Sequence, residues 1–195
     1  MIKEIEDAIK EEMDIKNTTF ENVEEELNYS KIEFKNCRFE KCKISGNVEK
    51  SFFTDCIFIN CDFSNVNFSN SDFVRCNIKN SKFVGCNLIE TKFYKVNIEE
   101  CNFNYSNFSE SVLKEVKYLE VLLNNSYFDN TVLQKVDFDK CELIRGSFYK
   151  TTLKGIDFSN SVIDGIGVDI GLLKGIIVNE FQALELSKLL GIIIK

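Results

Sequence analysis

The chain has 195 residues, eight cysteines, no histidine, no proline and a formal net charge of −7. This length predicts one domain, and the acidic balance argues against nucleic acid or an anionic membrane surface as a direct ligand. No apolar run is long enough to cross a bilayer and the N-terminus lacks the apolar core of a signal peptide, so we expect a cytoplasmic protein.

Residues 1–30 form the first predicted segment and carry ten acids against three lysines. Residues 2–15 are typical of an acidic amphipathic helix, because four apolar residues fall near one face. These residues are Ile2, Ile5, Ile9 and Met13. We expect an N-terminal cap or arm over residues 1–30, with a specific docking element as the alternative.

A period of five residues governs the next segment, residues 31–178. From Phe53 to Val178 a large apolar residue occupies every fifth position, and a small or β-branched residue lies two positions before each. This period is neither the two of a strand nor the 3.6 of a helix, so it indicates stacked repeats that bury their side chains against one another. Around Ser45-Gly46-Asn47 the register slips by one residue, which predicts a small kink or loop.

The repeated unit, for example Cys61-Asp62-Phe63-Ser64-Asn65, resembles that of the pentapeptide-repeat family. The resemblance covers about residues 32–178. It implies an all-β solenoid, a right-handed quadrilateral β-helix in which four pentads make one turn. Coils about 4.8 Å apart would then form a narrow rod.

All eight cysteines fall on the small inward position of a pentad. They are Cys37, Cys42, Cys56, Cys61, Cys76, Cys86, Cys101 and Cys141. A free cysteine packs as a small apolar residue, whereas zinc would need clustered ligands and has no histidine to use here. We therefore interpret the cysteines as core residues, expect no metal or cofactor, and consider a Cys56–Cys76 disulfide only under oxidising conditions.

Residues 179–195 predict a C-terminal capping and dimerisation helix, with Asn179 as N-cap and Gly191 at its end. Its apolar surface consists of Phe181, Leu184, Leu186, Leu189, Leu190 and Ile192. The segment is also similar to the dimerisation module of quinolone-resistance pentapeptide proteins of the Qnr and MfpA type. We expect a tail-to-tail homodimer, with a simple cap as the alternative.

With four pentads per turn, residues twenty apart share a face, and we number faces 1 to 4 by Phe53, Phe58, Phe63 and Phe68. Between residues 52 and 180 the net charges of these faces are +4, −4, −1 and −3 in that order. Such runs are usually solvated faces, but the acidic ones could also dock on a basic groove. The candidate partner-binding acids are Glu90, Glu99, Glu100, Glu110, Glu120, Asp129, Asp137, Asp139 and Asp157.

The sequence offers no histidine base, no phosphate-binding glycine loop and no cysteine outside the core register, so we expect no enzyme. The resemblance implies an acidic rod that acts as a DNA mimic on DNA gyrase or topoisomerase IV and protects them from quinolones. Its carboxylates would stand in for phosphates. The basic face 1 and the absence of projecting loops depart from the Qnr pattern, and a structural or adaptor solenoid without topoisomerase activity is the alternative.

Overall fold

The structure, a computed structural model, describes residues 1–11 and 13–193. This part of the chain forms the right-handed quadrilateral β-solenoid that the resemblance implies, with helix α1 (Ile2–Lys10) before it and helix α2 (Glu180–Ser187) after it. Ile194 and Lys195, which the sequence places in the C-terminal segment, lie outside the described residues.

Sixteen short strands build the coils within the described residues. They are β1 (Ile15–Lys16), β2 (Thr19–Glu21), β3 (Glu24–Asn28), β4 (Glu33–Lys35), β5 (Arg38–Glu40), β6 (Lys43–Asn47), β7 (Phe52–Thr54), β8 (Ile57–Ile59), β9 (Asp72–Val74), β10 (Asn77–Lys79), β11 (Lys92–Tyr94), β12 (Asn97–Glu99), β13 (Val112–Lys114), β14 (Lys117–Leu119), β15 (Val132–Gln134) and β16 (Asp137–Asp139).

Two parallel seven-stranded sheets form faces 1 and 2. The face 1 sheet has the order β1-β4-β7-β9-β11-β13-β15, and the face 2 sheet runs β2-β5-β8-β10-β12-β14-β16. From Phe53 onward each strand pairs with the one twenty residues later, as Phe53 with Phe73 and Phe73 with Phe93. This register confirms the turn of four pentads. Beyond β6, faces 3 and 4 are joined from coil to coil by single bridges instead of ladders.

The solenoid begins earlier than predicted. The sequence predicts a cap or arm over residues 1–30, but β1, β2 and β3 each pair in parallel with a strand of the next coil, and Ile15 lies opposite Phe34. Within this segment only α1 acts as an end cap; it ends at Lys10 and does not extend over the predicted residues 2–15, and it buries Ile5 and Ala8 while Ile9 is exposed. The acids of this segment hid the repeat, because they occupy outward positions of a coil whose register differs from the later ones.

The first two turns contain nineteen residues each, since Ile15 pairs with Phe34 and Phe34 with Phe53. These turns are one residue shorter on faces 3 and 4. There β6 continues as a strand through the position at which later coils form a corner. The predicted kink or loop is therefore a continuous strand. Gly46 makes this possible at φ +94°, because a Cβ there would lie closer than 3.0 Å to the carbonyl oxygen of Leu27 in β3.

The core is a set of side-chain columns along the axis. Phe53 stacks on Phe73 with ring centroids 4.8 Å apart, and Phe73 stacks on Phe93 at the same distance. Every predicted central residue from Phe53 to Ile163 is buried except Leu133, which is half-buried. The aromatic and aliphatic residues thus fill the shaft at the spacing of parallel strands.

The small inward positions have a second role besides packing. Buried serine and threonine hydroxyls donate to carbonyl oxygens of the preceding coil, as from Ser126 to Phe103 (2.8 Å) and Thr131 to Phe108 (2.8 Å). All eight cysteines are buried free thiols. Burial raises the pKa of Cys86 and of Cys101 to about 12, so these thiols stay protonated in the fold.

Between residues 50 and 155 the last residue of each pentad forms the corner between two faces and has a positive φ. Glu90 (φ 57°), Lys95 (φ 55°) and Glu100 (φ 52°) follow one another in this way, and Gly85 (φ 67°) precedes them. The left-handed backbone turns the chain by one side of the square and directs the corner side chain outward. Many of the candidate acids are therefore corner residues.

Candidate partner-binding surfaces

The outward surface of each face is built from three residues per coil. The residues before and after the central plug point away from the core because strand side chains alternate, and the corner residue completes the set. The central plug and the small residue are both buried in the shaft. The chemistry of the rod therefore depends on which outward charges remain unpaired.

Face 1 neutralises part of its own basic charge. Three of its seven basic residues pair with an acid in the preceding coil. The pairs and their N···O distances are Arg75–Asp55 (2.6 Å), Lys92–Asp72 (3.7 Å) and Lys135–Glu115 (3.8 Å). Hydrogen bonds from Arg75 lower the pKa of the Asp55 carboxyl, so this pair keeps its charges at neutral pH.

Face 2 holds six of the predicted partner-binding acids, and two of them are already paired. Glu99 accepts from Lys79 at 3.0 Å, and Glu120 accepts from Lys140 at 3.0 Å. Within residues 1–11 and 13–193, Glu100 and Asp137 form no ion pair. The other two are Asp139, which accepts from the Asn160 amide, and Asp157, which accepts from the Ser159 backbone.

Face 4 carries the other three predicted acids, Glu90, Glu110 and Asp129. None of them forms an ion pair with a described residue. Asp129 is held in place because its Oδ1 accepts from the Ser147 hydroxyl (2.6 Å) and from the Tyr149 backbone N–H (2.8 Å). Face 4 thus presents acids that no ion pair within the described residues neutralises, although its net negative charge is smaller than that of face 2.

Face 4 and its corner also expose three tyrosines that the sequence reasoning missed. Tyr105, Tyr127 and Tyr149 are 62%, 49% and 49% exposed, and we call them the tyrosine row. They recur every 22 residues, so each lies one coil and two residues beyond the last. This spacing is visible in the sequence once the twenty-residue turn is known.

The C-terminal end of the rod is sealed by an amide. Asn179 and Gln182 form a reciprocal capping box at the start of α2. The buried Gln182 side chain also donates to the carbonyl oxygens of Phe158 (2.9 Å) and Ser161 (2.6 Å) in the last coils. The helix therefore satisfies exposed backbone acceptors without using most of its apolar side chains.

The predicted dimerisation residues remain largely uncovered. Phe181 is 72% exposed and Leu190 is 61% exposed; Leu184, Leu189 and Ile192 are also exposed, and Leu186 is half-buried. α2 ends at Ser187, a 3₁₀ turn follows, and Gly191 terminates it at φ +73°. The arrangement leaves an apolar patch at one tip of an otherwise polar rod.

The described ranges contain no cluster of three or more histidine, cysteine, aspartate or glutamate residues that could hold a metal ion. Among their helices, none combines the length and apolarity that a bilayer crossing requires.

Family models match most of the repeat. A "Pentapeptide repeat region" model matches residues 51–128, and a model of "Pentapeptide repeats (8 copies)" matches residues 122–160. No curated protein matches the chain.

Several solved structures are similar to the chain at low identity. Full-length QnrB1, a plasmid-mediated fluoroquinolone resistance protein, shares 17% identity at a TM-score of 0.46 and covers 91% of this chain and 99% of its own. HetL, involved in heterocyst differentiation regulation in Nostoc sp. strain PCC 7120, shares 14% at 0.41, covering 83% and 91%. A thylakoid-lumen pentapeptide repeat protein from Arabidopsis thaliana shares 13% at 0.44, covering 54% and 67%.

Proposed function

The chain belongs to the pentapeptide-repeat family, and we propose that it is a non-enzymatic rod that binds a protein partner through its acidic outer surface. The observation that carries this proposal is a set of acids on face 4, together with Glu100 at a corner of face 2, that form no ion pair with a described residue. The proposed partner is DNA gyrase or topoisomerase IV, whose DNA-binding saddle would receive the rod in place of duplex DNA. Protection from quinolones would follow from this competition.

The density of carboxylates supports a partial mimic of DNA. Faces 2 and 4 carry eleven acids between residues 52 and 180. Coils stacked about 4.8 Å apart spread these acids over roughly 30 Å, or about one carboxylate per 3 Å. Duplex DNA has one phosphate per ~1.7 Å. The carboxylate density on these two faces is therefore a little over half the phosphate density of DNA, before the four lysines of the same faces are counted.

A supercoiling assay tests the proposal. Purified protein is added to gyrase with ciprofloxacin at low and high salt. A mimic should inhibit or protect at low salt and lose the effect as salt rises, because the contact is electrostatic. An unchanged reaction at micromolar protein would contradict it.

Matched variants locate the surface. Charge reversal of three corner acids, Glu90→Lys, Glu100→Lys and Glu110→Lys, should abolish the effect. A control with the same total charge change uses three acids on faces 1 and 3. These substitutions are Glu115→Lys, Glu142→Lys and Asp164→Lys. Equal loss in both variants would mean that net charge alone, and not faces 2 and 4, determines binding.

A structural or adaptor role is the second candidate function. The ion pairs within faces 1 and 2 favour this role, because they neutralise surface charges against one another and leave fewer acids to bind a basic groove. A gyrase assay without effect, combined with an intact fold, would favour this role.

We also propose that two rods join tail to tail through Phe181, Leu184, Leu186, Leu189, Leu190 and Ile192. The exposed apolar patch at that tip supports the homodimer. Sedimentation of the full chain should give twice the mass of 22.5 kDa, and a Phe181→Asp, Leu190→Asp variant should be monomeric. A monomeric parent protein would leave the helix as a cap only.

The eight free buried thiols support a reducing compartment, and we propose the cytoplasm.

A further inference from the structure

The tyrosine row crosses face 4 obliquely. Each step of 22 residues advances one coil, about 4.8 Å along the axis. Between Tyr127 and Tyr149 the step also moves two residues along the coil, about 7 Å, so their Cα atoms lie roughly 8 Å apart. Rings at this spacing can be reached by successive side chains of one short segment of another protein.

Tyr149 is fixed by its surroundings although its ring faces outward. The ring lies against Gly167 of the next coil, where a Cβ would come within 2.9 Å of the tyrosine Cε2 atom. Its backbone N–H donates to Asp129 at 2.8 Å, which fixes the main chain of this residue against a carboxylate of the preceding coil. A binding partner would therefore meet a ring that is already ordered.

A shallow depression of about 450 Å³ adjoins this ring. It is lined by Ser109, Glu110, Asp129, Asn130, Tyr149 and Lys150. Two carboxylates and an aromatic ring around one depression can accept the N–H groups of a guanidinium and cover its flat side. Lys150 supplies the one positive charge of the lining, at the corner of the coil.

Face 1 shows how this rod treats a tyrosine when it supplies the cation itself. The Tyr94 ring has the Lys95 ammonium 5.1 Å from its centroid and the Lys114 ammonium 5.7 Å from it. Within the described part of the chain, no cation lies over a ring of the tyrosine row. These rings, next to uncompensated acids, are open to a cation from elsewhere.

We propose that the tyrosine row and its depression bind an arginine-bearing segment of a partner protein. This inference rests on the proposed function, because the partner docks on the acidic surface. It specifies the face that the partner contacts and the type of residue that the partner supplies. Arginine fits better than lysine because its planar group stacks on a ring while it bonds to a carboxylate through two N–H groups. The contact places face 4, and not the more acidic face 2, against the partner.

The test uses a short peptide of alternating arginine and alanine, with lysine and citrulline versions of equal length. Titration of the isotope-labelled full chain, followed by NMR, should shift amide signals around Tyr127, Tyr149 and Asp129. The Tyr127→Ala and Tyr149→Ala variants should each weaken binding about 5-fold, while Tyr127→Phe should retain it. The lysine peptide should bind several-fold more weakly than the arginine peptide, and the citrulline peptide should not bind.

Tyr94→Ala on face 1 is the matched control and should leave the affinity unchanged. Shifts that cluster on face 2, or equal affinities of the parent and the two alanine variants, would overturn the inference. So would a change of sedimentation mass in Tyr127→Ala, since the row would then be covered by a second copy. Gyrase inhibition that survives both alanine substitutions would refute this site and leave the proposed function intact; arginine-peptide binding without gyrase inhibition would do the reverse.

Discussion

Replacement of Gly46 by alanine should destabilise the fold in two ways, through a strained left-handed backbone and through steric overlap of the new Cβ. Gly46 lies in β6 with φ +94°, and its carbonyl oxygen accepts from Asn67 N–H at 3.0 Å. An added Cβ would overlap the carbonyl oxygen of Leu27 and lie 3.2 Å from its carbonyl carbon. Neither backbone atom can rotate away, so β6 must move from β3 or strain its pairing with the next coil.

The expected loss can be worked from its parts. A left-handed backbone costs an alanine about 1–2 kcal/mol relative to glycine, and forced overlap in a packed region adds about 1–3 kcal/mol. Gly46→Ala should therefore lower the free energy of unfolding by about 2–5 kcal/mol. Gly155→Ala is the control, since Gly155 has φ +78° and an added Cβ there would have no atom of the described residues within 4 Å; it should cost only the left-handed backbone part.

Urea unfolding followed by circular dichroism measures both variants. Hydrogen exchange should show the loss in Gly46→Ala concentrated in β3 and β6, because coils of a solenoid contact only their neighbours. If Gly46→Ala is no less stable than Gly155→Ala, the close approach of β3 and β6 at this position is refuted.

Three further predictions concern buried polar groups. Tyr118 is buried and its hydroxyl lacks a hydrogen-bond partner among the described residues, so Tyr118→Phe should raise the free energy of unfolding by about 1 kcal/mol; a loss in urea midpoint would contradict this. Gln182→Leu should cost about 1–3 kcal/mol because two carbonyl oxygens lose their donor, whereas Gln134→Leu on exposed face 1 should be nearly neutral by the same assay. Burial raises the pKa of Cys86 to about 12, so at alkaline pH the thiol of the folded protein stays neutral while that of the unfolded chain ionises. The free energy of unfolding should therefore be constant below about pH 8.5 and fall above it by about 1.4 kcal/mol per pH unit for each such thiol. A melting temperature that stays constant from pH 8 to 10 would exclude this.

The solenoid itself could be predicted because its period reports packing directly. Phe83 or Phe103 can be buried only if another plug lies above and below, and no other fold explains an unbroken five-residue register. The first coils could not be read in the same way. There the nineteen-residue turns displace Phe34, Phe39 and Ile44 by one residue from the later register, and outward acids dominate the composition.

The surface was less predictable than the core. The sequence gives the face of Glu99 and Lys79, but the choice of Lys79 to pair with Glu99 depends on side-chain geometry across a coil. The left-handed corners are visible in the sequence, because asparagine and glycine recur at that position, as at Asn65 and Gly85. The fixed orientation of the Tyr149 ring could not be predicted, because it depends on a contact with Gly167 in another coil.

The unbroken twenty-residue turn from Phe53 onward fixes which face of the rod each outward residue occupies. Removal of one whole turn would shorten it by about 4.8 Å and leave every side above the cut in line with its counterpart below. Removal of a single pentad would instead rotate everything above the cut by a quarter revolution. The basic face 1 would then continue into an acidic face. The length of the rod can therefore change by whole turns without disturbing its charged faces, whereas a change by a single pentad would break them.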